Sequence, residues 1–176
     1  FFYKANRFQL FLLYSRMIQG ITESTFTAYI STEDNRIDTS VGTGKIKYLF
    51  KIVNDMDGSI HYAYPTVINI YPRYTFVLFT YNASPDMYAG EVKLIPSGHY
   101  KYEVYEVSWI GAVTVSAGNA PATETDVLSP AADTKGVVQG IVTKGILNMT
   151  DKAGTAQVQY TQRETPDSTN YIYYGQ

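Results

Sequence analysis

Only a few residue groups in this chain could do chemistry. Its two histidines, His61 and His99, both lie among tyrosines in β-prone runs. A general base must first reach the proton it removes, and neither histidine belongs to a nucleophile–base–acid pattern, so both read as structural side chains. Asp55-Met56-Asp57-Gly58 has the opening spacing of a calcium loop, but Val53 stands at the first ligand position and Tyr64 where the closing bidentate Glu belongs. The segment therefore reads as a hairpin turn. Gly42-Thr43-Gly44 lacks the further glycines and the Lys-Ser/Thr that a phosphate-cradling loop needs. Asn82-Ala83-Ser84 and Asn148-Met149-Thr150 match the glycosylation acceptor pattern, with Pro85 weakening the first. The chain has no Cys, which excludes disulfides, thiolate zinc sites and cysteine nucleophiles. No catalytic residue, metal ligand or cofactor is assigned, and enzymatic activity is not expected.

Tyrosine dominates instead, with 17 Tyr in 176 residues. Tyr buries a large rigid ring while keeping a polar tip, which suits protein interfaces and sugar platforms, although the plain use of such residues is to line a β-sandwich core and its rim. The interface candidates are Tyr88, Tyr171, Tyr173 and Tyr174, which fall in loops or the tail, together with Trp109 at the end of a Tyr-rich strand. Lys and Arg number 14 against 16 Asp and Glu, a net charge of −2. That balance gives no overall pull toward nucleic acid or an anionic membrane, so the expected partners are proteins.

These side chains must be positioned by strands. The chain opens at Phe1, as a processed product or an incomplete reading of a longer gene would, and its apolar run Leu10 to Tyr14 is too short to span a bilayer and lacks a signal-cleavage pattern. It reads as an opening strand, Arg7 to Tyr14. Thr22 to Gly44 reads as a long connection with at most a short strand. In Lys45 to Val53 the lysines take one parity and Ile46, Tyr48, Phe50 and Ile52 the other, the pattern of a half-buried strand. Asp57-Gly58 predicts a hairpin returning along Ser59 to Tyr64. Tyr74 to Tyr81 is a further strand, stopped by Asn82 to Asp86. Val92 to Ile95 is expected to pair with His99 to Trp109 across Pro96-Ser97-Gly98. The apolar parity of that last strand changes after Val104, which predicts a bulge there or a strand covered on both faces at an interface. Gly111 to Lys135 has loop or arm composition, followed by β-prone Val137 to Met149 and Ala156 to Tyr160. The aromatic tail around Tyr171 to Tyr174 is expected either to complete its own sheet or to dock on a neighbour.

The segments YLFKIVNDMDGSIHYAYP and MYAGEVKLIPSGHYKYEVYEVSW, a Ser/Ala/Thr-rich connection and the ending TNYIYYGQ resemble small β-sandwich virion proteins of tailed bacteriophages, over roughly Lys45 to Gln176. The resemblance implies a non-enzymatic structural subunit of the virion, at the neck or head-tail connector, contacting portal, neck, tail or capsid subunits and forming a homo-oligomer, without direct nucleic-acid or membrane contact. A capsid decoration protein is the alternative within this class, and a carbohydrate-binding or adhesion module the alternative outside it. The expected fold is an all-β, immunoglobulin-like antiparallel β-sandwich with an extended C-terminal arm: residues 1–110 as the sandwich core, and 111–176 as linker and arm that could complete the sandwich.

Overall fold

A computed structural model describes residues 17–152, which form nine strands in two packed sheets. Strand β3 (Ile46–Asn54) alternates as its sequence dictates. Ile46, Tyr48, Phe50 and Ile52 are buried, while Lys47, Lys51 and Val53 stand on the other face. It turns through Asp55 to Ser59 into β4 (Ile60–Ala63), with Val53 opposite Ile60. Gly58 occupies the turn with φ of 71°, a left-handed conformation that costs glycine nothing. The expected hairpin is therefore present.

The larger sheet has the order β1-β9-β8-β3-β4, with β1 (Met17–Ile21), β8 (Gly98–Ser108) and β9 (Val137–Thr150). The smaller is β2-β6-β5, with β2 (Phe26–Ile30), β5 (Thr66–Ile70) and β6 (Thr75–Tyr81). Between them lie Ile30, Phe50, Ile52, Val77, Phe79, Tyr102, Val104 and Leu147, all essentially without exposed surface. The sandwich is not purely antiparallel as expected: β1 runs parallel to β9, and the short β7 (Glu91–Val92) runs parallel to β6. Val92 does not pair with β8, because β8 is already flanked by β3 and β9. The Pro96-Ser97-Gly98 corner instead carries the chain from one sheet to the other. The Tyr100 hydroxyl donates to the Pro96 carbonyl across that corner at 2.6 Å.

The parity change in β8 has a simple origin. The β3–β8 register is unbroken, whereas the β8–β9 register shifts twice, between Val104 and Tyr105 and between Glu106 and Val107, so the extra residues lie on β9. Tyr100, Tyr102 and Val104 face the other sheet, while Val107 and Trp109 face outward into a second apolar cluster with Leu49, Tyr64 and Ala120. The cover is this chain's own Gly111 to Lys135 segment and not a neighbour. That segment is tied down by Gly111 N–H to Asp133 O (2.7 Å), Gly136 N–H to Asn119 O (2.8 Å) and Tyr64 O–H to Pro121 O (2.7 Å). Gly136 packs close against the indole of Trp109, and a Cβ there would come within 2.5 Å of the ring. Residues 111–150 thus belong to the same fold as the preceding strands, with β9 seated between β1 and β8. The expected strands Arg7 to Tyr14 and Ala156 to Tyr160 lie outside the described residues.

The long connection before β3 contains the short strand β2 and is anchored by a buried acid. Glu106 has no exposed surface, and its carboxylate accepts the backbone N–H of Ile37 (3.0 Å) and of Asp38 (2.7 Å). Both oxygens are thereby held, and the group pins the connection to β8.

Candidate interaction surface

The outer face of the smaller sheet carries the most distinctive surface of the molecule. Cross-strand pairing sets Tyr29 of β2 beside Phe76 of β6 and Phe76 beside Asn69 of β5. One row along, Leu78 sits between Thr27 and Thr66. Inward-pointing Ala28, Val77 and Phe79 fill the core, so strand alternation forces Tyr29, Phe76 and Leu78 to the outside. Tyr29 stacks on Phe76 with ring centroids 4.7 Å apart and planes 11° apart, and meets Tyr74 edge to face at 5.5 Å. Tyr74 packs on Tyr71 at 4.6 Å across the turn that links β5 and β6. Tyr29 nevertheless keeps 55% of its surface exposed, Ile68 48%, and Tyr71 and Tyr74 nearly two-fifths each. No charged side chain stands on these two cross-strand rows.

The larger sheet is covered differently. Over β3, β4 and β8 the Lys51 ammonium meets Glu124 at 2.5 Å, and the Tyr62 hydroxyl donates to the other Glu124 oxygen at 2.6 Å. The Tyr105 hydroxyl donates to Glu103 at 2.8 Å. Burial and the neighbouring carboxylates push the Tyr62 phenol up to about 12 and raise that of Tyr105. For Glu124, burial acts to raise the carboxyl, but the hydrogen bonds from Lys51 and Tyr62 outweigh it and hold the group below its ordinary value. This polar set clamps the 111–136 segment over the sheet, and its acceptors are already occupied by the clamp.

The residues singled out by sequence fall into three groups. Trp109 has no exposed surface and is a core residue, with no area left for a partner. Tyr88 is half-buried, its ring stacked 6.1 Å from Tyr64 beside the second apolar cluster. Tyr171, Tyr173 and Tyr174 lie outside the described residues. Among the groups considered for chemistry, Asp57 accepts from Ser59 N–H at 2.8 Å and Asp55 pairs with Lys101 at 2.5 Å, so the two carboxylates shape and brace the hairpin. His61 is half-buried, and burial lowers its pKa. His99 is exposed on β8, on a different strand from His61. The Asn82 amide is committed to Glu91 (2.9 Å) and to Ser84 N–H (3.1 Å), and Asn148 lies within β9, paired with His99. Sequence reading missed Tyr29, Tyr71, Tyr74 and Phe76. The signal was present in β6, where both parities are apolar: Phe76 and Leu78 on one, Val77 and Phe79 on the other.

Comparison with protein-family models, curated proteins and solved structures returned no match.

Proposed function

We propose that this chain is a non-enzymatic structural subunit of a tailed-bacteriophage virion, an immunoglobulin-like β-sandwich that works by protein–protein contact. The observation that carries the contact role is the aromatic run Tyr29, Phe76, Tyr74 and Tyr71 on the outer face of the smaller sheet, whose two rows across β2, β6 and β5 hold no charged side chain. Exposed apolar patches of this kind mark interaction sites, and Tyr and Phe are the residues that interface centres favour. Two features support the immunoglobulin-like type. The strand order, β1-β9-β8-β3-β4 against β2-β6-β5 with the first strand parallel to the last, matches a variable-type arrangement. The Tyr100 hydroxyl bonded back to the Pro96 carbonyl at the start of β8 has the geometry of a tyrosine corner. The virion location and the place at the neck or head-tail connector rest on the sequence resemblance, as does the expectation of portal, tail or capsid subunits as partners.

Mass spectrometry of purified particles followed by particle reconstruction tests this reading. A ring of copies at the head-tail junction is the expected result. Copies spread over the capsid lattice would make the chain a decoration protein, and absence from the particle would overturn the proposal.

A further inference from the structure

We infer that the free edge of β1 accepts an added strand, residues 8–13 of a second copy of this chain, so that copies link by strand exchange. The inference rests on reading the chain as a subunit that works by contact, and not on the aromatic face or on a place in a virion.

β1 ends the larger sheet, and among the described residues only β9 pairs with it. Thr22 N–H donates to the Thr150 carbonyl, so by strand alternation Ile18 and Gly20 also turn their backbone groups to β9. Met17, Gln19 and Ile21 turn theirs outward, which makes the edge a template for a further strand. The edges on the opposite side of the sandwich are blunted. β4 stops before Pro65, where Tyr64 N–H donates to the Met87 carbonyl at 2.8 Å. β5 has a bulge between Val67 and Asn69, and the Asn69 side chain covers the Ile70 N–H at 3.0 Å. β1 has no proline, no charge and an unbroken register with β9.

The surroundings of that edge select what fills it. On the outer face Met17, Ile21 and the cross-strand Ile146 are 44–48% exposed. On the inner face the sandwich is least closed at this side. Gly20 packs against Phe26 of β2, and Ile18 and Phe26, at 5% and 8%, are the most exposed members of the apolar core among the described residues. An added strand therefore meets apolar neighbours on both sides and must be apolar on both parities. Residues 8–13 fit, with Phe8, Leu10 and Leu12 for the inner face and Gln9, Phe11 and Leu13 beside Met17, Gln19 and Ile21. The other aromatic run, Tyr171 to Tyr174, has Tyr on both parities and would bury a hydroxyl without a partner. A return of residues 8–13 onto their own β1 needs a tight turn through Tyr14-Ser15-Arg16, which lacks the Gly, Asn or Asp that such short loops require. Pairing with another copy needs no turn, and exchange of an identical element is a low-cost route to assembly.

Sedimentation velocity of the full chain over a concentration series up to about 1 mM tests this. Gln19→Pro blocks the edge by removing an outward N–H while leaving the β1–β9 bonds intact. Leu10→Asp combined with Leu12→Asp spoils the segment and leaves the edge open. The wild type should form oligomers beyond the dimer, because each copy both gives and receives a strand. Each variant alone should be monomeric with the wild-type circular dichroism spectrum. An equimolar mixture of the two should form a 1:1 dimer and nothing larger, since one retains only the segment and the other only the edge. If Gln19→Pro alters the fold, Ile21→Lys takes its place at the edge. A monomeric wild type, variants that associate as the wild type does, or a mixture that stays monomeric would overturn the inference. A monomeric wild type whose Gln19 amide exchanges slowly, and quickly once Leu10 and Leu12 are changed, would place the segment on its own β1 and equally overturn it. A monomeric chain found in particles removes this inference and leaves the virion role, whereas an oligomeric chain absent from particles does the reverse.

Discussion

Replacing Trp109 tests the most unexpected part of the architecture, the second core built under the 111–136 segment. The indole has no exposed surface and packs with Leu49, Tyr64, Val107 and Ala120, with Gly136 against its ring. Truncating so large a buried side chain to alanine costs about 3–5 kcal/mol in transfer and cavity energy. One effect works the other way. The indole N–H is buried with no hydrogen-bond partner among the described residues, and an unpaired buried polar group costs about 1–3 kcal/mol that the alanine variant no longer bears. Taking the centre of each range, Trp109→Ala should therefore destabilise by about 2 kcal/mol, lowering the urea midpoint by about 1 M. Trp109→Phe keeps most of the ring contacts and removes the orphan N–H, so it should fall within about 1 kcal/mol of the wild type. Because this is the only Trp in the chain, unfolding should be followed by circular dichroism, while the wild-type emission should be that of a water-excluded indole. An Ala variant with an unchanged midpoint, or wild-type emission typical of a solvated indole, would refute the placement of the segment over the sheet.

Gly58→Val should cost roughly 1 kcal/mol or more through its left-handed backbone alone, since a Cβ there meets nothing within 4 Å; an unchanged melting temperature would place the strain elsewhere. Glu106→Ala should cost about 2–4 kcal/mol, because the amides of Ile37 and Asp38 lose their acceptors, and should open residues 36–41 to protease; equal cleavage of both proteins would argue against the pin. The His61 imidazole is held below its ordinary value of 6.5 by burial, against a weaker opposing effect from Asp57, so the folded state binds the proton less well than the unfolded one. Its contribution is therefore fully present above about pH 6.5 and lost as pH falls through the folded value. Urea midpoints from pH 8 to 5 should fall less steeply for His61→Gln than for the wild type, and parallel curves would contradict this.

Local structure was largely legible in the sequence, and long-range pairing was not. The β3–β4 hairpin follows from an alternating run and a glycine turn, both of which are properties of neighbours in the chain. Val92 was assigned to the wrong partner because proximity in sequence favours a hairpin, while Thr80 and Tyr81 of β6 were free to accept β7 in parallel. The 111–136 segment looked like an arm because it lacks aromatics. Its docking depends on backbone carbonyls at Pro121 and Asp133 and on one acid, Glu124, none of which stands out in composition. The aromatic face was hidden for another reason: in β6 both parities are apolar, and only the pairing of Phe26 and Ala28 with Phe79 and Val77 decides which side turns inward.

The parallel seam between β1 and β9 has a mechanical meaning. Met17 begins β1 opposite Ile146, and β9 ends at Thr150 opposite Ile21, with Thr22 N–H adding a bond to the Thr150 carbonyl. Tension applied before Met17 and after Thr150 pulls the two strands in opposite directions along their length. The rungs of the seam are then strained together, as in a lap joint, and cannot be peeled apart one by one. A chain held in this way would resist being stretched between its two ends far better than it would resist pulling across the sheet, which gives it a preferred axis for transmitting force.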